Sequence, residues 1–285
     1  MNSKNRISTL CLIILSILTI AGCNYQESQS TDSINCTLEV ADPYSYFLID
    51  SILQHGLDRE ALYTLLGSVK PMSSLISFTF PIAITDNASN TSDEHETVMD
   101  RIRTIQKAVS YIQIPDIKIV ESLGFASPPH SRHVILFNAV RISSLDSLLK
   151  AKENFFGQFG LVPGTDPNIV LNTIDSLDQD NRHRGYGYLY GYPDYAIDFF
   201  VETVKSSGRP VERNFFLIPT YTTTPVPRFV SYAYPKNAKP TKDVDSALYY
   251  RAINVLEQYK KIRPAYMNAD STVRAYELLI DLSSK

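Results

Sequence analysis

Val134-Ile135-Leu136-Phe137-Asn138-Ala139-Val140-Arg141-Ile142 is the stretch that decides the fold. Its β-branched and apolar residues, preceded by Arg132 and His133, read as a strand. Helical spacing takes over directly afterwards, with Leu148, Leu149, Phe155 and Phe156 inside a helix expected over 145–159. The chain therefore mixes both periodicities, and the question is in what order.

On the N-terminal side, Asp42-Pro43 is a helix start, with Asp as N-cap and Pro at the first helical position. Phe47, Leu48, Ile52 and Leu53 follow at helical spacing, and Gly56 ends that helix. A second helix is expected from Asp58, striped by Ala61, Leu62, Leu65 and Leu66. Ile76, Phe78, Phe80, Ile82 and Ile84 alternate with smaller or polar residues, a period-two strand that Pro81 makes an edge or irregular one. The polar run 86–96 reads as a loop, and Val98, Ile102, Ile105, Val109 and Ile112 predict a helix that Pro115 closes.

On the C-terminal side, Asp166-Pro167 repeats the start signal and opens a helix through Ile169, Val170 and Ile174. Another helix begins with Pro193 at its first position and ends at Gly208. Strands over 215–221 and 228–234 are joined by 222–227, so a hairpin is expected. A long helix spans 241–263 until Pro264, and Asp270 or Ser271 caps a last one. Strands do not alternate regularly with helices, which disfavours a doubly wound parallel sheet. The expected class is α+β, a helix-rich single domain over 40–285 with a small antiparallel or mixed sheet.

The N-terminus carries a different signal. Lys4 and Arg6 precede an apolar run, Ile7 to Ala21, that is shorter than the ~20 residues of a membrane span. It ends in Ile20-Ala21-Gly22-Cys23. A basic start, an apolar core and small residues before a cut site make a secretory signal. The ending resembles the lipobox of bacterial lipoproteins. That resemblance implies cleavage before Cys23, acylation of its sulfur, and a chain tethered to a bilayer of the cell envelope, facing away from the cytoplasm. Residues 23–39 then form a polar tether, too poor in apolar side chains to order itself. Of the three cysteines, Cys11 leaves with the signal and Cys23 takes the lipid. Only Cys36 remains, so no internal disulfide can form.

Composition limits the partners. A net charge of -3 and the lack of a basic block argue against nucleic acid. No P-loop, EF-hand or nucleophile-elbow spacing is present, and no cofactor is expected. His130 and His133 stand three apart without a third ligand, Asp93-Glu94-His95-Glu96 lacks a second histidine, and no metal is expected. His55 falls at a helix C-terminus, where positive charge is favourable.

The segment richest in chemistry is Arg182-His183-Arg184-Gly185-Tyr186-Gly187-Tyr188-Leu189-Tyr190-Gly191-Tyr192-Pro193-Asp194. Its glycine spacing misses the dinucleotide fingerprint by one residue, and a charged run precedes it where that fold needs a strand. Eighteen tyrosines and no tryptophan suggest half-buried rings and grooves. Arg182, His183, Arg184, Tyr186, Tyr188, Tyr190 and Asp194 are the expected ligand-binding residues; the alternative, which carries more weight, is a strand or turn that packs these tyrosines on the core, with the glycines allowing close approach. Tyr186 to Pro193 should border the main groove, with the following helix aiming its N-terminus there. The leading functional expectation is an envelope domain that binds a ligand or a protein partner. The competing one is an envelope hydrolase, with His183 or His133 as base, Asp194 as its acid partner and Arg184 holding an anion.

Overall fold

The predicted strand occupies the centre of the molecule. In the computed structural model, which describes residues 43–81, 92–124, 132–205, 211–223 and 226–283, β3 (Arg132–Arg141) lies between β1 (Met72–Pro81) and β2 (Ile117–Leu123), antiparallel to both. Because side chains alternate, β3 feeds two cores. Ile135, Phe137 and Ala139 belong to one hydrophobic cluster and Val140 to the other. Both faces are therefore buried, which is why the run reads as nearly continuous apolar sequence. β1 is an edge strand, as Pro81 requires. The expected signal sequence, Cys23, the expected tether, Ile82, Ile84 and His130 lie outside the described residues, as do the side chains of His133 and of Asp93 to His95.

On the first face pack α1 (Pro43–Leu57), α3 (Ser92–Ser110) and α10 (Ala275–Ser283), through Ile49, Leu53, Ile102, Ile105 and Leu278. On the second pack α4 (Ile142–Ala151), α5 (Glu153–Phe156), α6 (Pro167–Ser176), α7 (Gln179–Leu189) and α8 (Asp194–Lys205). A second sheet, the hairpin β4 (Arg213–Pro219) and β5 (Phe229–Pro235), leans on α9 (Ala247–Ile262) and α8. The architecture is helix-rich α+β with two antiparallel sheets, all within the compact unit Ala41–Lys285.

Several expectations need correction. The second helix shrinks to α2 (Leu62–Leu65), because Asp58 spends its carboxylate on the Tyr259 hydroxyl rather than on a cap. β2 has no counterpart in the sequence reading. Its Ile117, Ile119 and Val120 follow closely on the end of α3, and Asp116, at φ 64°, makes the turn between them. Thr241 opens a π-helical turn over 242–246 rather than a regular helix. α8 starts at Asp194, one residue past the proline. Asp270 caps a turn through Thr272, not the last helix.

The glycine–tyrosine segment is the largest departure. Asp178 caps the helix α7 by accepting from the amides of Asp180 and Asn181, and the glycines and tyrosines at 185–188 ride inside it. Glycine costs a helix ~1 kcal/mol relative to alanine, so packing must repay it. A Cβ on Gly187 would sit 2.7 Å from Ile197 of α8, and one on Gly185 3.0 Å from Ile174 of α6. The glycines let three helices approach. Gly191, at φ 73°, then ends the helix in the left-handed region.

One polar pair joins the layers. Arg141, at the end of β3, donates to the carbonyls of Thr64 and Leu65 at 2.9 and 2.8 Å and to Asp116 at 3.0 Å. Asp116 in turn accepts the Ser143 amide at 2.8 Å, capping α4 from a distance. Burial pushes the Asp116 carboxyl up, but hydrogen bonds from Ser143 and the charge of Arg141 outweigh it and hold it below the usual range.

Two predictions follow from this packing. Gly187→Ala should cost ~1–3 kcal/mol from overpacking, while Gly157→Ala, with helical φ and its nearest neighbour at 3.6 Å, should be neutral or gain up to ~1 kcal/mol. Denaturant midpoints of the two variants decide this. Arg141→Ala leaves two carbonyls and a partly buried carboxylate without their donor, and should cost ~3 kcal/mol by the same measurement.

Candidate functional site

Three hollows share lining residues from α1, through the turn after it, to β5. The first, about 500 Å³, lies between α1 and α3 and includes Tyr44, Ser51, His55 and Phe78. The second, about 340 Å³, shares Ser51 and His55 with it and adds Asp58, Arg59 and Arg228. The third, about 510 Å³, shares Arg59 and Arg228 and continues past Tyr192, Thr220, Phe229 and Ser231. The result is one trough from α1 to β5.

Local sequence explains its charge. Arg59 sits in the turn after α1, between two acids, Asp58 and Glu60. Both acids point to other partners. Asp58 accepts from the Tyr259 hydroxyl at 3.1 Å and pairs with Arg263 at 3.7 Å. Glu60 takes the buried amine of Lys70 at 2.7 Å, and that amine lies over the rings of Tyr190 and Tyr192. Among the described residues, no carboxylate lies within ion-pairing distance of Arg59 or Arg228. Between them stands Thr220, 7% exposed, whose Oγ1 has no hydrogen-bond partner among the described residues. Its own amide donates to the Arg228 carbonyl at 2.9 Å, which fixes hydroxyl and arginine on one wall. A buried hydroxyl without a partner costs stability, and it lies on a residue lining the same hollow as two arginines that form no ion pair among the described residues.

His55 completes the trough. Its Nε2 accepts a hydrogen bond from Arg59, which requires the neutral ring. Burial, Arg59 and Arg228, in that order, push its pKa below the ordinary 6.5. The helix C-terminus was expected to favour a cation there; desolvation and the two arginines override it.

A fourth groove, about 470 Å³, runs between α3 and β2. There the polar groups are spent on one another: Gln106 donates to Glu121 at 2.8 Å, and Lys118 pairs with Asp166. It offers no comparable charge.

The residues expected from sequence fall elsewhere. Tyr186 and Tyr188 are 7 and 8% exposed and pack in the second core, so they do not border a groove. Tyr186 donates to Asp175 at 2.7 Å and stacks on Tyr190, and Tyr188 meets Phe155 and Phe156. Tyr190 is half-buried against Lys70, and of the stretch only Tyr192 lines the trough. Arg182 and His183 lie half-buried on α7, with the His183 ring edge-on to Phe200. Burial, and then Arg182, lower the pKa of His183. Arg184 pairs with Asp198, and Asp194 with Lys152 at 2.7 Å. The α8 N-terminus therefore answers a lysine rather than an open anion site. Arg59, Thr220 and Arg228 went unnoticed because no spacing relates residues this far apart in the chain. Among the described residues there is no group of three or more metal-ligating side chains, and no helix is long and apolar enough to cross a membrane.

The depressed pKa of His55 has a signed consequence. The unfolded chain binds a proton at about 6.5 that the folded chain refuses, so stability falls as pH drops below 6.5 and levels off at the folded pKa. NMR titration should place the His55 midpoint below 6.5, and Arg228→Ala should move it upward. An unchanged midpoint in that variant would contradict the electrostatic account. No protein-family model matches the chain, and no curated protein sequence or solved structure matches it either.

Proposed function

We propose that this chain is a lipid-anchored binding module of the bacterial cell envelope whose trough captures an anionic group. The anchor reading rests on Ile20-Ala21-Gly22-Cys23 and the basic and apolar run before it. The binding reading rests on one observation: Arg59 and Arg228, each without an ion-pair partner among the described residues, line one groove of about 510 Å³ together with Thr220. Guanidinium groups hold phosphate or carboxylate oxygens through two parallel bonds. Tyr192 and Phe229 give the same groove apolar walls for the remainder of such a ligand. The hydrolase reading finds less support, since Arg184 and Asp194 are committed to Asp198 and Lys152.

Inorganic phosphate is the simplest probe. A ligand that binds only the folded state at a hundred times its Kd stabilises it by ~2.7 kcal/mol. Phosphate should therefore raise the melting temperature of the protein above that in chloride of equal ionic strength. Arg59→Ala with Arg228→Ala should abolish that increment while leaving the melting temperature in chloride nearly unchanged, because both side chains are exposed. An equal increment in the double variant would refute the site.

A further inference from the structure

The β4–β5 hairpin turns one apolar face to solvent. Alternation places Phe216, Ile218, Val230 and Tyr232 inward, and Arg213, Phe215, Leu217, Phe229 and Ser231 outward. The register sets Leu217 opposite Ser231 and Pro219 opposite Phe229, so the outward residues share one surface. Phe215, Leu217 and Phe229 are 56, 46 and 46% exposed. Three large apolar side chains grouped on one two-stranded face mark an interaction surface. Phe229 and Ser231 also line the arginine trough, so the apolar strip and the trough are continuous.

The rim is rich in arginine, and Glu60, which lines the same trough, is paired with Lys70. Arg213 shares the outward face, and Arg59 and Arg228 stand at its trough end. Among the described residues, none of the three has a carboxylate within ion-pairing distance. Hydrocarbon contact and several fixed anions side by side are what an acidic phospholipid surface offers, and a small anion supplies only the second.

We propose that the hairpin face docks the domain on a bilayer containing anionic phospholipid. Phe215, Leu217 and Phe229 enter the interfacial zone, and Arg59, Arg213 and Arg228 meet headgroup phosphates. The inference rests on the lipid-anchored reading and names a source for the anion in the trough. The chain allows it: residues 24–42 separate Cys23 from Pro43 and can span at most ~65 Å, while a unit of this size is roughly 45 Å across. Any face can reach the membrane that holds the lipid. Each arginine brought to an anionic surface strengthens partitioning about fivefold.

The chain contains no tryptophan, which supplies the test. Phe215→Trp in the full, acylated protein places a sole reporter on the docking face, and Ile169→Trp, at a 56% exposed site on α6, places one on another element. Both go into vesicles of phosphatidylcholine with 30% phosphatidylglycerol, with brominated lipid as quencher. The expected result is blue-shifted emission and strong quenching at position 215, little at 169, and a several-fold loss at 215 in pure phosphatidylcholine or with Arg213→Glu and Arg228→Glu. Protein that floats with the vesicles while position 215 stays unquenched overturns the docking and leaves the anchor standing. Failure of the native chain to float overturns the anchor and the docking with it. A blue shift at 215 that grows with protein concentration in the absence of vesicles would assign the face to a second copy and overturn the proposal. Phosphate stabilisation that persists beside an unquenched reporter separates the fate of the anion site from that of the docking face.

Discussion

The guanidinium of Arg141 reaches from the end of the central strand to two open carbonyls of α2 and to Asp116 on the far side of the sheet. A helix of four residues has no internal bonds to spare, so its last carbonyls need outside donors. Arg141 supplies them and thereby fixes where α2 ends. Tyr63 of α2 donates its hydroxyl to the Pro219 carbonyl, at the end of β4. Thr220 is the next residue, and its amide bonds the Arg228 carbonyl. A single run of polar contacts thus leads from the middle of the sheet to both walls of the trough. The Arg59 turn lies immediately before α2, so the same run sets one arginine opposite the other.

The charge in the trough arises from what its neighbours do. In sequence, Asp58-Arg59-Glu60 looks self-neutralising. In the fold, Asp58 is drawn to Tyr259 and Arg263, and Glu60 to the buried Lys70. Burial raises the Asp58 carboxyl above its usual range, against the lowering pull of Arg263. Lys70 needs Glu60 because an ammonium out of water must be paired, and the rings of Tyr190 and Tyr192 cover what remains of it. The aromatic run Tyr186, Tyr190, Tyr192, Tyr232 and Phe216, with centroids 5.1 to 6.2 Å apart, links the second core to the hairpin and fixes that cover in place. Among the described residues Arg59 forms no ion pair, because the acids beside it complete buried contacts.

What the sequence discloses follows from whether a signal is local. β3, the Asp166-Pro167 start and the hairpin were legible because period, cap and turn chemistry each act within a few residues. β2 was lost because Lys118, Glu121 and Ser122 break its apolar run, and only pairing with β3 shows that Ile117 and Ile119 face one core and Val120 the other. The tyrosines at 186 and 188 pack on the core, but from a helix and for a tertiary reason. Alternation suggests a strand, but Gly185 and Gly187 answer to Ile174 and Ile197 on neighbouring helices. The trough was not legible at all, since its arginines stand on separate elements and neither belongs to a motif.

The hairpin can leave apolar residues outside because its stability is supplied from within. Two strands alone are marginal in water. Here Asp245, buried at the start of the segment leading to α9, accepts hydroxyls from Tyr232 of β5 and Tyr195 of α8 and the amide of Thr241. Burial pushes that carboxyl up, and these hydrogen bonds outweigh it, so it stays charged below the usual range and holds three elements together. Phe216 stacks on Tyr232 at 5.1 Å and seals the inner face. The outward residues Phe215, Leu217 and Phe229 take no part in that arrangement. The inner face thus secures the hairpin while Phe215, Leu217 and Phe229 stay exposed, so apolar surface on the outer face is compatible with a folded hairpin.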